Sequence, residues 1–211
     1  MKYINVFLKG LLAGIAISFG GLVYIMTRKL TGNAVLGAYL FSIGLILVCN
    51  FGYFLYTGKI CYLIDEMKNK TKPNYILQLI IGYLGNVIGA LIFGLTCKLV
   101  LDMPDFVETM ISDKVNDEWY SLIIKGIFCG MLIYLAVEGF KKSKSDLGKY
   151  IILILCVGTF IVCGFEHSIA DAFYFSLSNN FFETIPTLLL ITLGNTIGGL
   201  LFPIINLINK E

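Results

Sequence analysis

The stretch "CGFEHSIAD", residues 163–171, decides how this chain is read. It carries His167, the single histidine, and follows the apolar run "YIILILCVGTFIV" (150–162). That run has the character of a membrane helix, yet the chain then sets Gly164 and Phe165 before a glutamate and the histidine. Ionisable side chains inside a membrane segment are costly and mark functional positions. Glu166-His167 therefore reads as an interruption with a purpose, provided that the rest of the chain spans a bilayer.

The composition says that it does. The 211 residues are 57% hydrophobic and 14% charged, and mean hydropathy is +0.84. Soluble domains are about 45–50% apolar. Segments of about 20 apolar residues cross a bilayer as helices. Six such spans are expected, at about 5–27, 35–56, 75–101, 119–140, 149–178 and 184–208, the fifth interrupted at "CGFEHS". The first has an apolar part from Gly10 to Met26 and no A-x-A-like cleavage site, so it reads as a spanning helix rather than a signal peptide. A net charge of +2 gives no nucleic-acid signal. The six cysteines are scattered, with no CxxC or Cys/His cluster, so no metal or other cofactor is expected.

Lysine placement sets the orientation. Lys2, Lys9, Lys59, Lys68, Lys70, Lys72, Lys141, Lys142, Lys144, Lys149 and Lys210 fall on one side; Arg28, Lys29 and Lys114 fall in the opposite loops. The lysine-rich side is expected to be cytoplasmic in a cell (inner) membrane, with both termini inside. Residues 102–118, "DMPDFVETMISDKVNDE", then form an acidic outer loop.

The halves echo each other. "LGNVIG" (84–89) returns as "LGNTIG" (193–198), 109 residues later, and "KGLLAG" (9–14) as "KGIFCG" (125–130), 116 later. The second span of each half breaks, one at Leu55-Tyr56-Thr57-Gly58 and one at Gly164-Phe165-Glu166-His167, with Thr57 and His167 110 apart. Three spans per half is an odd number, so the halves (about 5–101 and 119–208 of one transmembrane domain, 1–211) run in opposite directions. Inverted repeats are a common transporter plan. Non-helical backbone at membrane depth is tolerated only inside protein or beside a polar cavity. The two breaks are expected to meet near the midplane, where half-helix N-termini favour an anion. The glycine-rich segments around both repeats read as close helix packing.

"FSIGLILVCNFGYFLYTGK" (41–59), "KGIFCGMLIYLAVEGF" (125–140), "CGFEHSIADAFYF" (163–175) and "LGNTIGGLLF" (193–202) together resemble the formate/nitrite transporter family, over about residues 8–205. The resemblance implies an all-α membrane protein of six transmembrane helices in an inverted 3+3 repeat with two broken helices, aquaporin-like. It also implies a homopentamer with a pore in each protomer, passing small monovalent anions such as formate, nitrite or hydrosulfide across the lipid bilayer. The family's central histidine falls on His167, its broken-helix threonine on Thr57 and its lysine before the fourth helix on Lys114. Its two apolar constrictions fall on Phe41, Tyr56 and Ile133 outside, and on Leu45, Leu55 and Phe160 inside. The chain departs from the family pattern at Gly130 and Asp171, where the family favours asparagine, and at "YTGK", where it favours "FTGN". The segment before the first span is only a few residues long, shorter than in many relatives.

The expected chemistry follows. A bare anion at an apolar constriction costs several kcal/mol, and a neutral weak acid far less. Lys114 would draw the anion in, and His167 would donate a proton or a strong hydrogen bond. Glu166 would brace exposed backbone at the break or relay protons. The alternative is an aquaporin-like channel for neutral small solutes, but such channels carry two Asn-Pro-Ala elements and this sequence has none. An enzyme built on Glu166 and His167 would need a metal or a nucleophile with partners, and a lone histidine supplies neither. A purely structural subunit would leave two matched breaks unexplained.

Overall fold

The computed structural model describes residues 1–69 and 74–208; Lys70, Lys72 and Lys210 of the charge count lie outside them. Every regular element among the described residues is helical. The helices are α1 (Lys2–Thr31), α2 (Ala34–Leu40), α3 (Ile43–Phe51), α4 (Tyr56–Lys59), α5 (Leu63–Asn69), α6 (Tyr75–Val100), α7 (Phe106–Val115), α8 (Trp119–Lys142), α9 (Asp146–Val162), α10 (Ser168–Ser176) and α11 (Ile185–Ile208). Short 3₁₀ turns at Ile60–Tyr62 and Phe181–Thr184 lead into α5 and α11.

Among the described residues, five stretches are long and apolar enough to cross a membrane: Lys2–Thr31, Ala34–Phe51, Tyr75–Val100, Trp119–Lys142 and Phe181–Ile208. The expected fifth span instead comes in two pieces. Its first piece, α9, has 17 residues, and its second, α10, has nine. The faces away from the core are lined with exposed aliphatics, for example Ile80, Leu84, Ile92 and Leu95 on α6 and Leu189, Leu193, Ile197 and Leu201 on α11. Water would not tolerate so much apolar surface, and lipid does.

Two helix pairs form the frame. α1 packs along α6, and α8 along α11. Both seams are made of glycine against backbone. A Cβ on Gly14 would run into the backbone oxygen of Asn86 and lie 3.0 Å from the nitrogen of Ala90. Gly198 faces the backbone of Ile127 in the same way. Small residues permit this approach in membranes, where dispersion contacts supply much of the association. Gly14→Ala should therefore force α1 off α6 at a cost of about 1–3 kcal/mol, a drop in thermal midpoint of roughly 2–12 °C, read by tryptophan fluorescence in detergent.

The interruptions fall between these frames. α3 ends at Gly52, with φ 62°, and α9 is followed by Gly164, with φ 68°. Both sit in the left-handed region that glycine enters at little cost and that commonly stops a helix. The chain then runs extended to Leu55 and to His167, the residues that precede α4 and α10. α7 is the unexpected element. The polar loop folds as a helix because Val107 and Ile111, four apart, bury one face.

Candidate functional site

Each interruption exposes backbone that has lost its helical partners, and one asparagine clamps each. Asn86 of α6 accepts from the Tyr56 N–H at 2.8 Å and donates to the carbonyls of Phe54 (2.7 Å) and Gly10 (2.8 Å). Asn195 of α11 accepts from the Ser168 N–H at 2.9 Å and donates to the carbonyls of Glu166 (2.8 Å) and Gly126 (2.9 Å). Both amides are fully buried. Each uses all three of its bonds to tie a broken strand of chain to the helix frame, which is how buried polar backbone avoids a penalty. These are the residues that reading the sequence for chemistry missed. Their signal was present, as the one polar side chain that both copies of "LGNxIG" share.

The clamped segments present Thr57 and His167 to each other. Thr57 Oγ1 lies 2.8 Å from His167 Nε2, and both residues are buried. His167 also precedes α10 as its cap, with Nδ1 accepting from the Ala170 N–H at 3.2 Å. A ring nitrogen that accepts from an amide carries no proton itself, so the ring is the neutral tautomer with its hydrogen on Nε2. Nε2–H therefore donates to Thr57. The equivalent cap before α4 is Leu55, 112 residues earlier, so Thr57 sits two places past the position that matches His167.

Phe160 stacks on the His167 ring at 5.9 Å between centroids, and Phe41 meets Phe160 edge-on at 6.1 Å. Leu45, Leu55 and Ile133 are buried in the same core. Tyr56 turns elsewhere: its hydroxyl bonds Thr196 at 2.8 Å and its ring meets Tyr83.

Lys114, near the end of α7, reaches into this region. It pairs with Glu166 and, at 3.1 Å, with Asp171 Oδ1. Burial alone would push its ammonium toward the neutral form, but Asp171 and Glu166 outweigh that and hold it above the usual lysine range. One ammonium thus serves two carboxylates. Glu166 braces the break through its backbone carbonyl, held by Asn195, while its carboxylate goes to Lys114.

Cavities approach from two directions. One of about 170 Å³ is lined by His167, Phe41, Phe160, Lys114, Glu166 and Asp171, among others, and meets a wider one of about 350 Å³ bordered by Arg28, Lys125 and Lys114. On the other side, a cavity of about 160 Å³ reaches Leu55 and Gly58 and meets one of about 640 Å³ bordered by Lys2, Lys9, Lys59 and Lys141. The two series share no lining residue. Between them stand Leu55, Thr57 and His167.

This geometry has counterparts. The chain is 26% identical over 181 residues to the formate channel FocA of Haemophilus influenzae, covering 79% of this chain and 64% of that one. It is 29% identical over 178 residues to the nitrite transporter NirC of Escherichia coli, covering 77% and 66%, and 26% identical over 218 residues to the transporter YwcJ of Bacillus subtilis, covering 92% and 84%. It spans just under two thirds of the length of the formate channels it matches. A pentameric formate channel solved with formate bound superposes over 100% of this chain and 98% of that one, with a TM-score of 0.82 at 24% identity. At that identity the likeness speaks to the fold: an all-helical, multi-pass membrane architecture. The sequence evidence for kinship is broader, since the model of the formate/nitrite transporter family matches residues 1–208, and this chain belongs to that family of membrane channels and transporters.

Proposed function

We propose that this chain is a channel for small monovalent weak-acid anions, with formate, nitrite and hydrosulfide-like ions as its class of substrate. The observation that carries this is a neutral histidine N–H donor, buried between two cavities that approach it from opposite sides. A donor in an apolar passage stabilises a small acceptor while asking little desolvation of the protein itself. Its relatives include formate channels and a nitrite transporter.

The passage is taken as follows. The anion gathers in the outer cavity near Arg28 and Lys125, enters beside Lys114 and His167, is protonated there, and crosses as the neutral acid. Phe41 and Ile133 are assigned to the outer constriction and Leu45, Leu55 and Phe160 to the inner; Tyr56, expected beside Phe41, is left out because its side chain turns to Thr196 and Tyr83. The proton leaves with the acid on the far side, so transport is channel-like or anion–proton symport. We assign α9 and α10 to one interrupted crossing, six crossings in all, arranged as an inverted repeat in one aquaporin-like domain. The matching Asn86 and Asn195 clamps support that arrangement. A homopentamer is inferred from the pentameric fold neighbour. The lysines of the wider cavity are placed on the cytoplasmic side, with both termini inside the cell (inner) membrane.

Stopped-flow light scattering on liposomes carrying the purified protein tests this. Formate, nitrite or hydrosulfide should enter at least tenfold faster than into empty liposomes, an effect of roughly 1.4 kcal/mol on the barrier, while glycerol entry stays at background. Glycerol entry without anion entry would favour the neutral-solute channel and overturn the proposal.

A further inference from the structure

Two buried side-chain oxygens among the described residues lack a hydrogen-bond partner, and both lie on α10: Ser168 Oγ and Asp171 Oδ2. Asp171 borders the cavity beside His167. Its side chain is 2% exposed; Oδ1 pairs with Lys114, and Oδ2 has no hydrogen-bond partner among the described residues. Asp171 follows His167 by four residues, and its N–H bonds the His167 carbonyl at 2.9 Å, so the two side chains share a face one turn apart.

The charge count around Asp171 is unbalanced. Glu166, from the interruption before α10, draws on the same Lys114 ammonium. Were both carboxyls ionised, the mouth of an anion passage would hold a buried excess negative charge. Two carboxyls sharing a site resolve this by keeping one proton between them. The other groups facing Asp171 do not supply the missing charge. His167 is committed as a neutral cap, Tyr24 of α1 and Tyr174 of α10 are phenols, and Cys129 of α8 is a buried thiol. α6 and α11, which also pack on α10, bring no titratable side chain to this cavity. Asp171 Oδ2, buried and unpartnered, is the site for the proton.

We propose that Asp171 carries a proton on Oδ2 and hands it to the anion that enters the cavity beside His167. This rests on the reading of the chain as a weak-acid anion channel. In the step, the Oδ2–H bond breaks and its proton forms a bond to the anion's basic atom. The neutral acid leaves the cavity past Phe41 and Phe160. Asp171 remains as a carboxylate against Lys114 until a proton from the outer solvent restores it. The neutral His167 then acts as a hydrogen-bond donor that positions the anion, and Asp171 is the source of the proton.

The test uses proteoliposomes with a trapped pH dye, measuring protons and formate entering together. Asp171→Asn keeps the shape and the neutral form but has no proton to give. It should lower proton entry per formate by roughly tenfold or more, the scale of a lost general acid, while size-exclusion elution matches wild type. Asp171→Glu should restore part of the coupling. Difference infrared spectra of wild type at neutral pH should contain a protonated-carboxyl C=O band that Asp171→Asn lacks. Unchanged coupling in Asp171→Asn, or no such band in wild type, overturns the proposal. The failure of the parent reading looks different: wild type would carry no formate above empty liposomes. An Asp171→Asn protein that does not elute as wild type leaves the infrared band as the deciding measurement, with wild type titrated alone.

Discussion

Asn195→Leu should abolish the folded channel, or lower its thermal midpoint by at least about 6–12 °C. Leucine has the same number of side-chain heavy atoms but is bulkier, so overpacking can only add to the loss. What changes is the account of hydrogen bonds. Leucine leaves the Ser168 N–H and the carbonyls of Glu166 and Gly126 buried without partners. Each unmet buried group costs about 1–3 kcal/mol, so three groups cost at least about 3 kcal/mol. At roughly 2–4 °C per kcal/mol for a chain of this size, the midpoint falls by that amount or more. Asn195→Asp keeps the acceptor for Ser168 and loses both donated bonds, so it should fall between wild type and Asn195→Leu. Asn86→Leu should behave like Asn195→Leu, because it strands the Tyr56 N–H and the carbonyls of Phe54 and Gly10. Differential scanning fluorimetry in detergent reads all of these. A midpoint for Asn195→Leu within a degree or two of wild type would mean that water satisfies the break, and that the amides are incidental.

The two asparagines also show what the sequence could and could not reveal. Long apolar runs determine the spans, and the expected boundaries fall within a few residues of α1, α6, α8 and α11. Gly164 is legible as a stop, because a helix that meets glycine followed by extended residues has nowhere to continue; Gly52, which ends α3, falls ahead of the expected break at Leu55-Tyr56-Thr57-Gly58 and inside the expected span 35–56. Thr57 and His167 are legible as a pair through the repeat, although the exact register is off by two. Leu55 holds the place that matches His167, and a leucine there gives no chemical sign of being a cap. The roles of Asn86 and Asn195 needed three dimensions, since each bonds two segments far away in sequence. α7 was hidden for a different reason. Its acidic surface reads as a solvated loop, and only its position over the cavity explains why Val107 and Ile111 are buried. Lys114 was legible as a cation near the mouth. Its commitment to Glu166 and Asp171 was not, and that commitment removes it as a free attractor and makes Asp171 the group to question.

His167→Ala should lower anion flux by on the order of 100-fold, the loss seen when one preorganised donor to a developing charge is removed. The ring does two jobs that can be separated. Nδ1 caps α10 through the Ala170 N–H, worth about 1 kcal/mol. Nε2–H points across the interruption to Thr57, at the place where the two cavity series come nearest. Alanine loses both. His167→Asn can still cap α10, because asparagine is among the best cap residues, but its amide is too short to reach Thr57. Asparagine should therefore restore the thermal midpoint and leave the flux lost. If the cap alone mattered, His167→Asn would conduct like wild type. The pH dependence adds a second discriminator. With the proton drawn from Asp171, Asp171→Asn loses proton coupling while retaining some anion entry, whereas His167→Ala and His167→Asn lose anion entry at every pH. If His167 were instead the proton source, the two kinds of variant would exchange signatures: Asp171→Asn would couple normally, and His167→Asn would pass anions without their protons.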